Sequence, residues 1–290
     1  RALGGTISQL IRQKEIKGKL NEVTLIHSLG KLPAARVAVV GLGKKSELTL
    51  DKIRGAVADT CRRLQPQGVQ SVATVAQGTG IKGISASRSA QAITEGAILG
   101  LYSFRKHITK KEEDEIKQLT IVGTGAAGRS ALEQSCRKGR IMAEAANLAR
   151  DMVNEPSNYM TPTNMAEMAG KLAKTYGLDL TVLECKQMQK MGRGARLAVA
   201  QGSDQPPKFI VLSYKGKRTK ETDMTLVGKG VTFDYGGISI KPSEGMGDMK
   251  GDMAGGAAVM AALSAIAQLK PKINVVAVIA ATENMPNGHA

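Results

Sequence analysis

With 290 residues and 42% hydrophobic side chains, the chain is long enough for two domains with separate cores. No apolar run approaches the roughly 20 residues of a membrane span, and the opening stretch RALGGTISQLIRQKEIKGK lacks the apolar core of a signal peptide. The net charge of +16 would draw anionic partners, but the basic residues are scattered and only 3% are aromatic, which argues against a base-stacking single-strand module and leaves weak duplex binding open.

In chain order, 22–28 and 36–43 are rich in Val, Ile and Leu and read as strands. Thr49 is placed to cap a helix running to position 64, with Ile53, Val57 and Cys61 at helical spacing. A strand is expected at 70–77, then a helix at 87–104 burying Ala90, Ile93, Ala97 and Leu101. The charged run 106–117 is an exposed connection before a strand at 119–122. This alternation predicts a mostly parallel sheet with helices on both faces.

Gly123-Thr124-Gly125-Ala126-Ala127-Gly128 then spells G-x-G-x-x-G between a strand and a helix, the setting of a dinucleotide fingerprint. That fingerprint also requires an acidic residue at the end of a further strand roughly 20 residues on, and 136–153 is alanine-rich and helical instead. A glycine turn entering a helix is the plainer reading, and no nucleotide is assigned to it.

The helix at 130–153 ends before Pro156. A helix at 163–176, capped by Thr163, places Met165, Met168, Ala169 and Leu172 on one face. Strands are expected at 178–183, 196–200 and 209–214, the last beside a buried strand at 224–227 that Gly228 and Gly230 break. A helix of small residues at 255–269 can pack closely, and 273–281 is apolar throughout, hence buried on both faces. The fold expected is α/β with two domains, each a mostly parallel or mixed sheet flanked by helices. Their bounds are 1–129, a connecting helix at 130–153, and 154–290.

The chemistry concentrates in 224–253, MTLVGKGVTFDYGGISIKPSEGMGDMKGDM, where Lys229, Asp234, Lys241 and Asp252 stand among glycines. Loops leaving the carboxyl ends of strands bind ligands in open α/β sheets. Two aspartates entering one cleft repel unless a cation lies between them, and divalent ions accept such oxygens. Lysine is an unusual ligand, because it donates a lone pair only as the neutral amine, a form that a nearby divalent charge favours. Residue types alone leave a second option, a glycine-rich loop with ordinary surface charges.

VGKGVTFDYGGISIKP and MKGDMAGGAAVMAAL resemble the signature of the leucyl aminopeptidase (cytosol aminopeptidase) family of two-metal exopeptidases, and 146–162 resembles the entry to its catalytic domain. The resemblance implies that Lys229 and Asp252 are ligands of the tighter metal, that Asp234 bridges both metals, and that Lys241 is the catalytic lysine that stabilises the oxyanion. It places Met249 and Met246 near the pocket for the substrate's first side chain. It further implies two divalent ions (zinc or manganese, with magnesium a further option), peptide substrates, a cytoplasmic homo-hexamer and an N-terminal domain without catalytic residues.

Two departures stand out. Tyr235 occupies a position where the family has a small serine, which is expected to crowd the loop or change the first-residue preference. The family's later N-T-D-A-E-G-R segment is absent before Ala290, so the expectation is a partial chain carrying half of a dinuclear site and inactive by itself. The start at Arg1 likewise suggests a missing N-terminus. A basic DNA-binding or regulatory protein on the same scaffold is the alternative.

The remaining candidates get plainer readings. Cys61, Cys136 and Cys185 are widely spaced and fit reduced thiols in a cytoplasm, as small core residues rather than nucleophiles. His27 and His107 are structural or surface residues, His289 has no role, and Glu283 shapes a loop or supports the site from behind.

Overall fold

The computed structural model describes residues 3–109, 115–123, 128–192 and 194–287, so parts of the charged run at 106–117, positions 124–127 of the glycine turn, and His289 lie outside the described residues. The chain divides into two units, Arg1–Glu144 and Ala145–Ala290.

In the first unit, caps and apolar spacing fix the helices. Thr49 accepts a hydrogen bond from the Lys52 N–H at 3.2 Å and opens α2 (Leu50–Leu64), and Ser85 does the same for Arg88 at the start of α3 (Ala86–Gly100). Ile53, Val57, Cys61, Ile93 and Ala97 are buried between these two helices and the loops above them. The remaining elements are α1 (Thr6–Arg12) and four strands, β1 (Val23–His27), β2 (Arg36–Val40), β3 (Ser71–Val75) and β4 (Gln118–Val122). The long α4 (Arg129–Asn154) begins in this unit.

The α/β alternation holds, while the strands form two ladders, β1–β2 antiparallel and β3–β4 parallel. Between β2 and β3 lies a cavity of about 600 Å³ lined by Ala38, Val40, Val57, Leu64 and Val72. Arg54 on α2 pairs with both Asp51 and the buried Glu95 of α3, and Glu95 also accepts from the Gln91 amide at 2.7 Å. Burial pushes the Cys61 thiol up to about 11, so it stays protonated, in keeping with a core residue.

The second unit holds α5 (Pro162–Tyr176), β5 (Asp179–Leu183), α6 (Cys185–Lys190), α7 (Gly194–Ala200), β6 (Lys208–Lys215), β7 (Met224–Asp234), α8 (Ala254–Leu269) and β8 (Asn274–Asn284). Its sheet runs β5-β6-β8-β7, antiparallel except for the parallel β8–β7 pair. The apolar β8 is therefore central, with Val275, Ala277, Ile279 and Ala281 fully buried. Met165 of α5 and Met260 and Leu263 of α8 complete that core.

Four local expectations change. The cap of α5 is Thr161, paired reciprocally with Asn164, because Pro162 has no N–H to offer and takes the first helical position. The short apolar run at 196–200 belongs to α7; a run of that length suits a helix segment as well as a strand. β7 runs on through Gly228 and Gly230 as an edge strand, and Met224 and Val227 are 49% and 76% exposed, so its first residues are not buried. Finally, β8 separates β6 from β7, so the strand at 208–215 is not a neighbour of the one carrying Lys229.

A 3₁₀ segment, Met246–Met253, continues directly into α8. By length and composition the joined stretch Met246–Leu269 would pass for a bilayer-spanning helix. Its apolar side is already used, with Met253, Ala257, Met260 and Leu263 fully buried in the sheet core.

Candidate metal centre

Lys229 and Asp234 lie five positions apart on one strand, which in a regular strand sends them to opposite faces. The ladder to β8 slips by one residue here, with Val231 opposite Thr282 and Phe233 opposite Glu283. Lys229 then faces Ala280 and Asp234 faces Asn284, an even separation on β8, so both ligand candidates share a face. The extra residue of the bulge, Thr232, is fully buried and donates to the Thr282 carbonyl at 3.2 Å.

Asp252 arrives from the 3₁₀ segment. A Cβ added to Gly228 would lie 2.4 Å from the Gly255 carbonyl, so β7 and the first turn of α8 meet backbone to backbone. That approach sets Lys229 Nζ 2.5 Å from Asp252 Oδ2. Asp252 Oδ2 is buried, and among the described residues no donor meets it with hydrogen-bond geometry, the amine included.

Asp234 is held from two sides. Its Oδ2 accepts from Lys241 Nζ at 2.7 Å; its Oδ1 accepts from Asn284 Nδ2 at 2.7 Å and from the Gly236 N–H at 3.2 Å. Burial is the largest single influence on its carboxyl and opposes ionisation, but the hydrogen bonds from Lys241 and Asn284 and the contact with the Asp252 carboxyl together hold it below the usual carboxylate range.

Lys241 Nζ also donates to Met249 Sδ at 3.1 Å. The loop that returns Lys241 to Asp234 turns at Gly236, with φ of 102°, where a Cβ would lie 2.3 Å from the Ser239 carbonyl. The Lys241 N–H closes the turn on the Tyr235 carbonyl at 3.0 Å. The Tyr235 ring lies against Phe233, centroids 6.4 Å apart. Met246 opens the 3₁₀ segment and is half-buried.

Lys229, Asp234, Lys241 and Asp252 thus form one connected group, with Met249 in contact through Lys241. Among the described residues no cluster of three or more His, Cys, Asp and Glu side chains exists, so any dication here would rely on two carboxylates and the Lys229 amine. The buried Asp252 oxygen fits that role: beyond its ion pair with Lys229 it meets no donor with hydrogen-bond geometry among the described residues, and it lies against a second carboxyl, so a cation beside the three groups could take all of them as ligands. Glu283 accepts from the Ser203 hydroxyl at 2.6 Å and ties the preceding loop to β8. His27 is on β1, and the His107 ring pairs with Phe104, both in the first unit. Sequence reasoning missed Asn284; its position at the carboxyl end of the central strand, beside the strand of ligands, is the one available hint.

The fold and the centre define a mixed-sheet α/β protein with a candidate metal site at the carboxyl end of a parallel strand pair. Residues 1–111 match the N-terminal domain of the cytosol aminopeptidase family and residues 147–290 match its catalytic domain. The chain belongs to this family. A probable cytosol aminopeptidase of Alkaliphilus metalliredigens is 43% identical over 99% of the chain, and one of Geotalea uraniireducens is 42% identical over 100% of it. The chain spans 58% of the length of each.

Among solved structures, the bottromycin maturation enzyme BotP in complex with Mn aligns with TM-score 0.83 and 34% identity, covering 96% of this chain and 57% of that one. A variant of tomato leucine aminopeptidase aligns with TM-score 0.84 and 29% identity, covering 99% and 55%.

Proposed function

We propose that this centre serves a metal-dependent aminopeptidase that releases N-terminal residues, leucine-like ones preferred, from peptides. The carrying observation is the convergence of two carboxyls and an amine: Lys229 Nζ lies 2.5 Å from the buried Asp252 Oδ2, and the Asp252 carboxyl lies against that of Asp234. Lys229, Asp234 and Asp252 would hold the dications, zinc or manganese. When bound, such ions polarise the scissile carbonyl and ready a water to attack it.

The chain's own residues supply the rest. Lys241 carries a positive donor on a loop closed by Gly236, and its amine meets the oxyanion that develops on the substrate carbonyl. Asp234 and Met249 aim that amine. Met249, in contact with that amine, and Met246, at the start of the same 3₁₀ segment, would form the apolar wall for the substrate's first side chain. The domain reading, with α4 joining 1–129 to 154–290, the cytoplasmic setting suggested by three free cysteines and the homo-hexamer belong to this same proposal.

Leucyl-anilide hydrolysis with zinc or manganese tests it, on this chain and on one extended to the relatives' length. With two carboxylates in the described donor set, turnover is expected in the longer chain and weak in the 290-residue one. In the longer chain Lys241→Ala should lower turnover roughly 100- to 1,000-fold with metal binding retained. Unchanged turnover removes Lys241 from the chemistry, and a longer chain without metal-dependent turnover removes the aminopeptidase. The net charge of +16 favours a second reading, a DNA-binding role on this scaffold. Salt-sensitive duplex binding that survives metal stripping would mark it.

A further inference from the structure

We infer that Asn284 is a positioning residue of the metal centre: its neutral amide fixes the orientation of the Asp234 carboxylate toward the bound cation. The inference rests on the metal reading above and adds to it a residue fifty positions from the aspartate it serves. An aspartate on a strand edge rotates about its last side-chain bond unless something stops it. Here two donors converge on one oxygen from different directions, Asn284 Nδ2 at 2.7 Å from the end of β8 and the Gly236 N–H at 3.2 Å from the loop. The second oxygen is thereby left to Lys241 and the space beside Asp252.

Asn284 is itself held. Its backbone carbonyl accepts from the Tyr235 N–H at 2.9 Å, and its side chain fills the space that Gly237 leaves open, where a Cβ would come 2.8 Å from Asn284 Oδ1. Lys241 already brings one positive charge to the other oxygen of this carboxylate, and a second cationic side chain here would take further charge that a dication needs; a neutral amide donates without adding to that. Carboxylate ligands oriented in this way lose roughly 10- to 100-fold in metal affinity when the orienting group is removed.

Asn274, at the other end of β8, provides the control. Its amide holds the Thr219 and Glu221 carbonyls at 2.7 and 2.9 Å, so it is a structural asparagine on the same strand. The test is titration of Mn²⁺ into the 290-residue protein by calorimetry, with the Mn²⁺ paramagnetic resonance line as a second readout. Asn284→Ala should weaken binding roughly 10- to 100-fold and change the spectrum of the ion that remains. Asn274→Ala should lower the melting temperature and leave affinity within about two-fold, since it touches no ligand.

Equal affinity in wild type and Asn284→Ala overturns the inference, as does equal weakening by both asparagine variants. Wild type binding no Mn²⁺ overturns the metal reading and this inference with it, a result visible before any variant is made. If Asn284→Ala does not fold, Gly237→Ala crowds the same amide while leaving it in place. Weakened Mn²⁺ binding is expected there too, and unchanged binding overturns the inference.

Discussion

Each unit contains a crowded cation–carboxylate cluster, and the two differ in how completely they are satisfied. In the first unit, Arg54 lies between Asp51 and Glu95, Gln91 takes the remaining Glu95 oxygen, and every charge has a partner. In the second, Lys229 pairs with Asp252 Oδ2 off the hydrogen-bond axis, and that buried oxygen meets no other donor among the described residues. The closed cluster ties α2 to α3; the open one is the place proposed for the metal.

That contrast can be broken experimentally, and the largest effect belongs to the open cluster. Asp252→Asn should weaken Mn²⁺ binding by about 100-fold or more while leaving the melting temperature nearly unchanged, because among the described residues the only pair it breaks is with Lys229, whose side chain is 58% exposed. A clear drop in melting temperature would show that Asp252 is structural and erase the distinction.

The converse variant is Glu95→Gln, which strips the charge from a carboxylate whose side chain is only 5% exposed and leaves Arg54, 30% exposed, to Asp51 and solvent. We expect a loss of about 2 kcal/mol in denaturant unfolding, below the range for a fully buried pair, and no change in Mn²⁺ affinity.

The smallest effect concerns an ordinary exposed pair. The Asp223 carboxyl is held below its usual range by a hydrogen bond from Lys217 and then by the Asn274 N–H. A carboxyl depressed in the folded state contributes stability that is present above the unfolded carboxylate range and is lost as pH falls through the folded value. Acid titration should therefore show a slight loss of stability below about pH 4 that Asp223→Asn removes. A loss as large as that from Glu95→Gln would mean that satisfaction, not burial, sets the ranking.

Much of this was legible because it is local. Thr49 before an apolar period, the alanine-rich run of α8 and the unbroken apolar stretch of β8 each dictate their element without help from distant residues. The identities of the ligand candidates were legible too. Their geometry was not: the odd spacing of Lys229 and Asp234 argues against a shared face, and only the slip at Thr232 against β8 reverses that. Asn284 and Asp234 meet through strand pairing that nothing in either residue's neighbourhood announces. The order of the sheet, with β8 inserted between β6 and β7, was hidden for the same reason.

The bare contact between Gly228 and Gly255 has a consequence for how this centre can vary. With no side chain in the joint, there is no rotamer to adjust and no packing to relax, so the distance between the elements bearing Lys229 and Asp252 cannot be tuned by degrees. Drift in the surrounding core leaves the centre untouched, while a single methyl at the joint wedges it open. The constraint is strictest at Gly228, where a Cβ would lie 2.4 Å from the Gly255 carbonyl, and tight at Gly255, where one would lie 3.0 Å from the Lys229 nitrogen.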